Sequence, residues 1–535
     1  MAAPESVNEI LKTANISKAT LVFCLGGERA DLLKEVESRR KHSDIPIIVI
    51  EKTYTPTLEK LRSPFVDVVS DNLSKLLEKL HQTMTEKALW DSSIEVVGDP
   101  AVLKRDPLFW FRVAKSIPEL KSRVRAGFGN SLSDQMNGLR NCVDNMDLSM
   151  VNAGLHVWRG SARGKTAVSI ASGWSLTRET VKKLREVSDH AIIIATDSSM
   201  KFLLGHDLEP HFVTSLERES AVGDCFRGAK IPERTNLFAP VVSERKSLEA
   251  FEGKRILFST HGGYQEILGH RRLGLLSAGH SAGNINLALA TALGCGRVIM
   301  VGHDLALHPD RFTTHFEEIG DERGAVKAKA DWDTRESLAE VGSQDGTSQV
   351  WTTNFYWMIR GEIEQWISMH PEVEFVNMSA KGARIEGAHS GEWIEVLNSL
   401  KNTPLVLFQK NAAKPFVPRE CLQRTEASLA ALTECLQEVH QLLDRAGGDF
   451  LTSALELREK WIRRPSISFQ LGVLSVLTPA VTMYERALVE EEVVPSGDPN
   501  RKTLILREHF TLWKAYLPQI MHELNRAAAT LKTLA

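Results

Sequence analysis

Three histidines, one aspartate and two turns rich in small residues are the parts of this chain whose types and spacing could do chemistry. His303 and Asp304 follow an apolar run, Arg297-Val-Ile-Met-Val301, and His308 and His315 stand in the polar stretch beyond it. An imidazole, with an ordinary pKa of about 6.5, suits a general base. A carboxylate such as Asp304 could orient that base or bind a ribose, and equally it could cap the strand end. Upstream, Thr166–Leu176 reads as a buried strand, a tight turn at Gly173, and a helix with Ser175 or Thr177 as its N-cap. Ser172, Gly173, Trp174, Ser175 and Leu176 then form an anion seat, because first-turn N–H groups lack internal partners and the helix dipole adds about half a positive charge. A second turn, Ala278-Gly-His-Ser-Ala-Gly-Asn284, opens another helix. There Ser281, Ala282, Gly283 and Asn284 offer hydroxyl, backbone and amide groups to a ligand that approaches closely. A tight helix-opening loop explains Gly279 and Gly283 as well.

These turns need a sheet to hold them. From Gly164 the chain shows strand-like runs at Ala167–Ala171, Ala191–Thr196, Phe212–Ser215, Asn236–Phe238, Arg255–Ser259, Val298–Val301 and Val373–Val376. Helical stretches fit between several of them, clearest at Thr177–Val187 and Ser281–Leu293, and that alternation argues a parallel sheet. Ligands of such sheets bind outside the carboxyl ends of the strands. The second strand ends in Asp197-Ser198 and the third in Leu216-Glu217, so two acids join the same rim. Asp197 could hold a ribose diol; both acids could also simply cap helices or start turns.

Three regions follow. Residues 1–155 read as an N-terminal α/β domain with a helical linker: strands at Thr20–Leu25, Ile45–Ile50, Phe65–Val69 and Glu95–Val97, helices at Glu28–Arg39, Leu76–Met84 and Leu132–Val143. Residues 156–400 form the central α/β domain, within which Leu307–Thr353 is long, polar and without strong periodicity. Residues 401–535 read as a helical bundle, with an apolar stripe at Leu429, Leu432, Leu436, Val439 and Leu443 and further helices at Leu451–Arg463, Ile467–Val489 and Thr503–Leu534.

Composition narrows the function classes. With 535 residues the chain exceeds one core. Its 43% hydrophobic and 25% charged content is that of an ordinary globular protein, and a net charge of −3 offers no footprint for nucleic acid. No apolar run reaches the roughly 18 residues of a membrane-spanning helix. The opening Met-Ala-Ala-Pro-Glu-Ser is not a secretory signal, and six scattered cysteines (Cys24, Cys142, Cys225, Cys295, Cys421, Cys435) include no C-x-x-C. A cytoplasmic, disulfide-free protein is expected. No P-loop and no zinc spacing is present, so no metal ligand is assigned. Asp331-Trp-Asp333 has the form of a metal-binding D-x-D but lacks a preceding apolar strand. His261-Gly-Gly263-Tyr264 resembles an oxyanion loop without the G-x-S-x-G elbow that would accompany it.

The central region resembles the DUF115 domain of the bacterial motility-associated factors, the Maf flagellin glycosyltransferases. The resemblance runs from about Val157 to Gly387. It is carried by Ala171-Ser-Gly-Trp-Ser-Leu176, Ile194-Ala-Thr-Asp-Ser198, Pro210-His-Phe-Val-Thr-Ser-Leu-Glu217, Val301-Gly-His-Asp-Leu305 with Thr314-His315, and Val376-Asn-Met-Ser-Ala-Lys-Gly-Ala-Arg-Ile-Glu-Gly387. The same core is similar to bacterial sialyltransferases that use CMP-activated sugars. The resemblance implies a Rossmann-like central domain in which Ala171–Leu176 seats the phosphate and ribose of CMP and Ser281-Ala-Gly283 approaches the nucleotide. It implies transfer of a nonulosonic acid (sialic, pseudaminic or legionaminic type) from a CMP donor to Ser or Thr hydroxyls of flagellin, with no cofactor. His315, which matches the family's Thr-His, is then the first choice of base, with His303 and His308 left to serve the phosphate. Trp174 stands where the family has proline, Ala171 where it has glycine, and Leu305-Ala306 where the sialyltransferases have Phe-Tyr. Two rivals remain: archaeal pterin diphosphokinases, which share the resemblance and would use ATP and Mg²⁺, and a non-catalytic nucleotide-binding or flagellin-handling scaffold.

Overall fold

A computed structural model describes residues 6–19, 21–40, 47–53, 65–71, 75–76, 79–80, 94–114, 117, 132–260, 263–276, 279–310, 313–316, 338–401, 408, 410–445, 448–462 and 500–534. The chain divides into two units. The first comprises Met1–Ser131, Leu436–Arg464 and Leu477–Tyr516; the second comprises Leu132–Cys435, Pro465–Val476 and Leu517–Ala535. Leu132–Leu155 thus falls in the unit that carries the central sheet, and the C-terminal region is shared out between the two.

In the first unit, β1 (Leu21–Leu25), β2 (Ile47–Glu51), β3 (Phe65–Val69) and β4 (Ile94–Gly98) form a parallel sheet of order β3-β2-β1-β4. Period-two alternation decides its faces. Leu21, Phe23 and Leu25 join one core, while Val22 and Cys24 join the other with Leu32, Leu33 and Val36 of the helix Ala30–Arg39. Burial pushes the Cys24 thiol up to about 12, which makes it an inert packing group.

In the second unit, eight strands form one parallel sheet: β5 (Thr166–Ile170), β6 (Ile192–Thr196), β7 (Phe212–Thr214), β8 (Asn236–Pro240), β9 (Lys254–Phe258), β10 (Arg297–Val301), β13 (Glu374–Asn377) and β14 (His389–Ser390), in the order β14-β13-β10-β5-β6-β7-β8-β9. Both faces are covered, as a parallel sheet requires. Ala167, Ile192, Ile194, Val298 and Met300 pack with the helices Ala282–Leu293 and Asn354–Met369. Val168, Ile170, Ile193 and Ile299 face the opposite way, onto Val181 and Leu184 of Arg178–Arg185 and onto Val396 and Leu400 of Trp393–Lys401. The chain steps outward from β5 to β9, then returns to lay β10 on the other side of β5. The order reverses between these two strands, and that is the switch point at which open α/β sheets receive ligands.

Two expectations are refined. The stretch Leu307–Thr353 ends in an antiparallel hairpin, β11 (Leu338–Gly342) with β12 (Gln349–Thr353), paired through Val341 and Val350. In the helix Pro418–Leu443 the buried stripe is Cys421, Thr425, Ser428, Leu432, Cys435, Val439 and Leu442, at spacings of three and four. Leu429, Leu436 and Leu443 flank it. Leu432 and Val439 are common to the expected and observed stripes; the rest of the buried face includes Thr425 and Ser428, which apolar type does not reveal and which can be buried because their hydroxyls turn onto the backbone carbonyls of Cys421 and Arg424. The expected helix at Ile467–Val489, the Asp331–Asp333 pair and the start of the His261 loop lie outside the described residues. Among the described residues no helix is long and apolar enough to cross a membrane.

Candidate functional site

The exits of β5 and β10 are laced together. Ala171 N–H donates to Val301 O at 2.9 Å and Gly173 N–H to Gly302 O at 2.9 Å. Two glycines permit this approach: a Cβ at Gly302, whose φ is +70°, would lie 2.4 Å from Ala171 O, and one at Gly173 would lie 2.1 Å from Asp304 Oδ2. Asp304 is therefore folded under the Ser172–Ser175 turn. Its Oδ2 accepts the Ser175 N–H at 3.0 Å, and its Oδ1 makes no hydrogen bond among the described residues. Burial pushes this carboxyl up to about 6, against the opposing pull of the Ser175 amide and the Ser175 and Ser379 hydroxyls. Ser175 Oγ lies 3.0 Å from Ser379 Oγ, in the turn after β13.

The anion seat read from this turn is thus partly filled by the protein's own carboxylate. Gly173, Ser175 and Leu176 all donate their amides internally, Leu176 to Gly173 O at 3.1 Å. Thr177, and not Ser175, is the N-cap; its hydroxyl accepts Thr180 N–H, an arrangement worth about 1 kcal/mol. Trp174 turns its indole N–H to Ala306 O at 2.9 Å and meets the His308 ring edge-on at 5.0 Å. Leu176 is core.

The histidines separate by environment. His303 is buried with Nε2 2.8 Å from Ser169 Oγ, and burial lowers its pKa to about 4, so at neutral pH it has no charge to offer a phosphate. His308 accepts the Asp310 N–H at Nδ1. His315 forms a β-bridge with Gly173, which brings residues 142 positions apart to the switch point. Its Nδ1 lies 2.7 Å from Thr314 Oγ1, and burial lowers its pKa.

The acids on the neighbouring strands are engaged too. Asp197 opens the helix Asp197–Gly205, accepting Ser198 N–H at 2.7 Å and Ser215 Oγ–H at 2.9 Å. Ser198 Oγ lies 3.2 Å from Thr196 Oγ1. The Glu217 carboxyl is raised by burial and by the charge of Asp197.

The second turn completes the rim. Ser281 caps Ala282–Leu293 by accepting Gly283 N–H, and a Cβ at Gly283 would lie 3.2 Å from the His303 ring and 3.5 Å from Ala171 Cβ. Ser281–Asn284 therefore faces the end of β5. Two residues that the sequence reading passed over organise this helix. Asn286, fully buried, donates to Ile170 O and Ile194 O and bonds Thr214, tying β5, β6 and β7 together. Glu362, on Asn354–Met369, accepts His280 N–H, His280 Nδ1–H and Asn284 Nδ2–H. An amide inside the otherwise apolar run Ile-Asn-Leu-Ala-Leu was a readable signal for Asn286; nothing local singled out Glu362. Among the described residues no cluster of three His, Cys, Asp or Glu is placed to hold a metal ion.

The solved structure of a Maf glycosyltransferase from Magnetospirillum magneticum AMB-1 superposes with a TM-score of 0.53 and 15% identity, over 98% of this chain and 85% of that one. The chain has the fold of that enzyme. Residues 131–310 also match the family described as 6-hydroxymethylpterin diphosphokinase MptE-like. No curated protein matches the chain. The MptE-like segment holds β5 to β10, Asp197, Glu217, the Ser281 turn, His303, Asp304 and His308. His315, Glu362 and Ser379 lie beyond it.

Proposed function

We propose that this chain is a cytoplasmic glycosyltransferase that moves a nonulosonic acid, of sialic, pseudaminic or legionaminic type, from a CMP-activated donor to Ser or Thr hydroxyls of flagellin without a metal cofactor. The observation that carries the reading is the switch point itself. Four small-residue segments (Ser172–Ser175, Gly302–Asp304, Ser281–Asn284 and Thr314–His315) converge there in a fold shared along almost the whole chain with a Maf glycosyltransferase. A sugar transfer with an oxocarbenium-like transition state asks for a positioned donor, a base and groups that receive a departing phosphate, and little covalent chemistry. In this reading the donor nucleotide lies between the Ser172–Ser175 and Ser281–Asn284 turns, with Asp197 and Glu217 towards its ribose and His315 beside Gly173 on the phosphate side.

The MptE-like match over 131–310 favours a second reading, diphosphate transfer from ATP to a pterin on the same rim. Calorimetric titration with CMP and with ATP, each in EDTA and in Mg²⁺, separates the two. One-site CMP binding that survives EDTA, followed by transfer from a CMP-nonulosonic acid to purified flagellin, is the expected result. Mg²⁺-dependent ATP binding without CMP binding would move the assignment to diphosphate transfer.

A further inference from the structure

His280 sits one residue before the Ser281 cap, at the mouth of the helix that faces the end of β5. Its Nδ1 is 2.5 Å from Glu362 Oε1, and its own backbone N–H reaches Glu362 Oε2 at 3.0 Å. The same Oε2 takes Asn284 Nδ2–H at 2.9 Å. Both oxygens of Glu362 are thus committed to the helix entry. The chain makes room for the carboxylate with Gly279: its φ is +79°, and a Cβ there would stand 2.0 Å from Glu362 Oε2. A carboxylate on Nδ1 fixes that nitrogen as the protonated one and leaves the Nε2 lone pair for a substrate. The His280 side chain is 44% exposed and Glu362 only 22%, so the base faces solvent while its orienting acid is sheltered.

His303 and His315 lack this arrangement. The Nε2 of His303 is held by Ser169 inside the core, and His315 has a hydroxyl, not a carboxylate, on Nδ1. A separate observation points to a ligand at the same helix entry. Asn284 is 4% exposed, and its Oδ1 makes no hydrogen bond among the described residues, a buried acceptor beside the helix entry that the protein leaves unpaired and that an added donor such as a hydroxyl could satisfy.

We propose that His280, oriented by Glu362, is the base that takes the proton of the acceptor hydroxyl, which leaves His315 to the departing phosphate. This assignment rests on the transferase reading. The hydroxyl oxygen bonds to the anomeric carbon as the bond from that carbon to the CMP phosphate oxygen breaks. The electron pair of the broken bond stays on the phosphate, and the hydroxyl proton passes to His280 Nε2. The products are the glycosylated protein, CMP, and an imidazolium beside the Glu362 carboxylate that then releases its proton to water. The hydrogen bond to Glu362, aided by its charge, raises the His280 pKa against the opposing effect of burial, so the nitrogen is a stronger base than a free histidine.

The test compares the full chain with its His280→Gln and Glu362→Gln variants. Readouts are CMP affinity by calorimetry, thermal unfolding, and kcat and KM for transfer to flagellin between pH 5 and 9. In His280→Gln the CMP affinity and unfolding temperature should hold while kcat falls about 10²- to 10⁴-fold, the usual worth of a general base. In Glu362→Gln the acid limb of the kcat profile should move to lower pH, as the imidazole loses the charge that raises its pKa. A His280→Gln variant that binds CMP and transfers within threefold of the parent overturns the assignment but leaves the transferase reading standing. A parent that binds no CMP and transfers none of the three sugar types overturns both.

Discussion

Gly173→Ala tests the architecture of the site most directly, because one added carbon meets two fixed oxygens. The new Cβ would stand 2.1 Å from Asp304 Oδ2 and 2.3 Å from Gly302 O. Both are more than about 1 Å inside ordinary contact. Neither neighbour can yield cheaply. Gly302 O belongs to the backbone leaving β10 and accepts Gly173 N–H; Asp304 is 1% exposed and accepts Ser175 N–H. Relief of the clash means giving up both hydrogen bonds, about 0.5–1.5 kcal/mol for the neutral one and about 1.5–3 for the one to the carboxylate. The local cost is therefore about 2–4 kcal/mol. The assay is hydrogen exchange read by mass spectrometry on peptides spanning 166–176 and 297–305, where that cost appears as exchange about 30- to 1000-fold faster. If the proposed donor site is right, CMP affinity should fall with it, since the turn proposed to line the nucleotide is displaced. Gly205→Ala is the control, because a Cβ there meets nothing within 4 Å. If Gly173→Ala exchanges like the parent and like Gly205→Ala, the lacing of β5 to β10 through Asp304 is not as described, and the site built on it falls.

Two further perturbations separate electrostatics from scaffold. Asp304→Asn tests the raised carboxyl: an acid whose folded-state pKa lies above its unfolded one is stabilising while protonated and loses that contribution as pH rises through about 6. A rise from the ordinary carboxylate value to about 6 corresponds to about 3 kcal/mol. In urea unfolding the Asn variant should accordingly gain about that much on the parent between pH 4 and pH 8, and a constant difference across that range would refute the burial argument. Asn286→Leu keeps the branched outline of the side chain but replaces the amide that ties β5, β6 and β7 together with two bulkier methyl groups. It takes one acceptor from the Thr214 hydroxyl and the amide donor from the Ile170 and Ile194 carbonyls, for a loss of about 2–4 kcal/mol. An unchanged unfolding temperature would show that the strand ends do not depend on it.

What the sequence disclosed and what it hid divide along the reach of an interaction. Strand and helix positions were readable because they follow from local period and from breakers. The run Ile192–Ala195 is apolar, as befits a strand buried on both faces, and Gly294, with φ at +85°, closes the helix Ala282–Leu293. Even the rim was readable, since a strand's carboxyl end is fixed once the strand is. The partner of each rim residue was not. From the turn alone Ser175 reads as an open amide for phosphate; that its donor is spent on Asp304, 129 positions away, depends on β10 lying beside β5 and not beyond β9. Nothing in the local run encodes that sheet order.

The same limit explains Glu362. It is one acid in a helix that also carries Glu364, and its meaning comes from Gly279, whose missing side chain admits the carboxylate to the helix entry. Glycines whose absent Cβ is needed for a distant oxygen are therefore the most economical markers of this site. Gly173 marks Asp304, Gly302 marks the Ala171 carbonyl, and Gly279 marks Glu362. In sequence Gly173 and Gly279 read as turn residues and Gly302 as a strand exit, and each is a clearance for something else. A turn glycine tolerates alanine when its φ is negative and its surroundings are open; a clearance glycine does not, whatever its φ. Gly173, whose φ is not in the left-handed region, distinguishes the two cases, so its substitution by alanine reports on Asp304 and not on the turn.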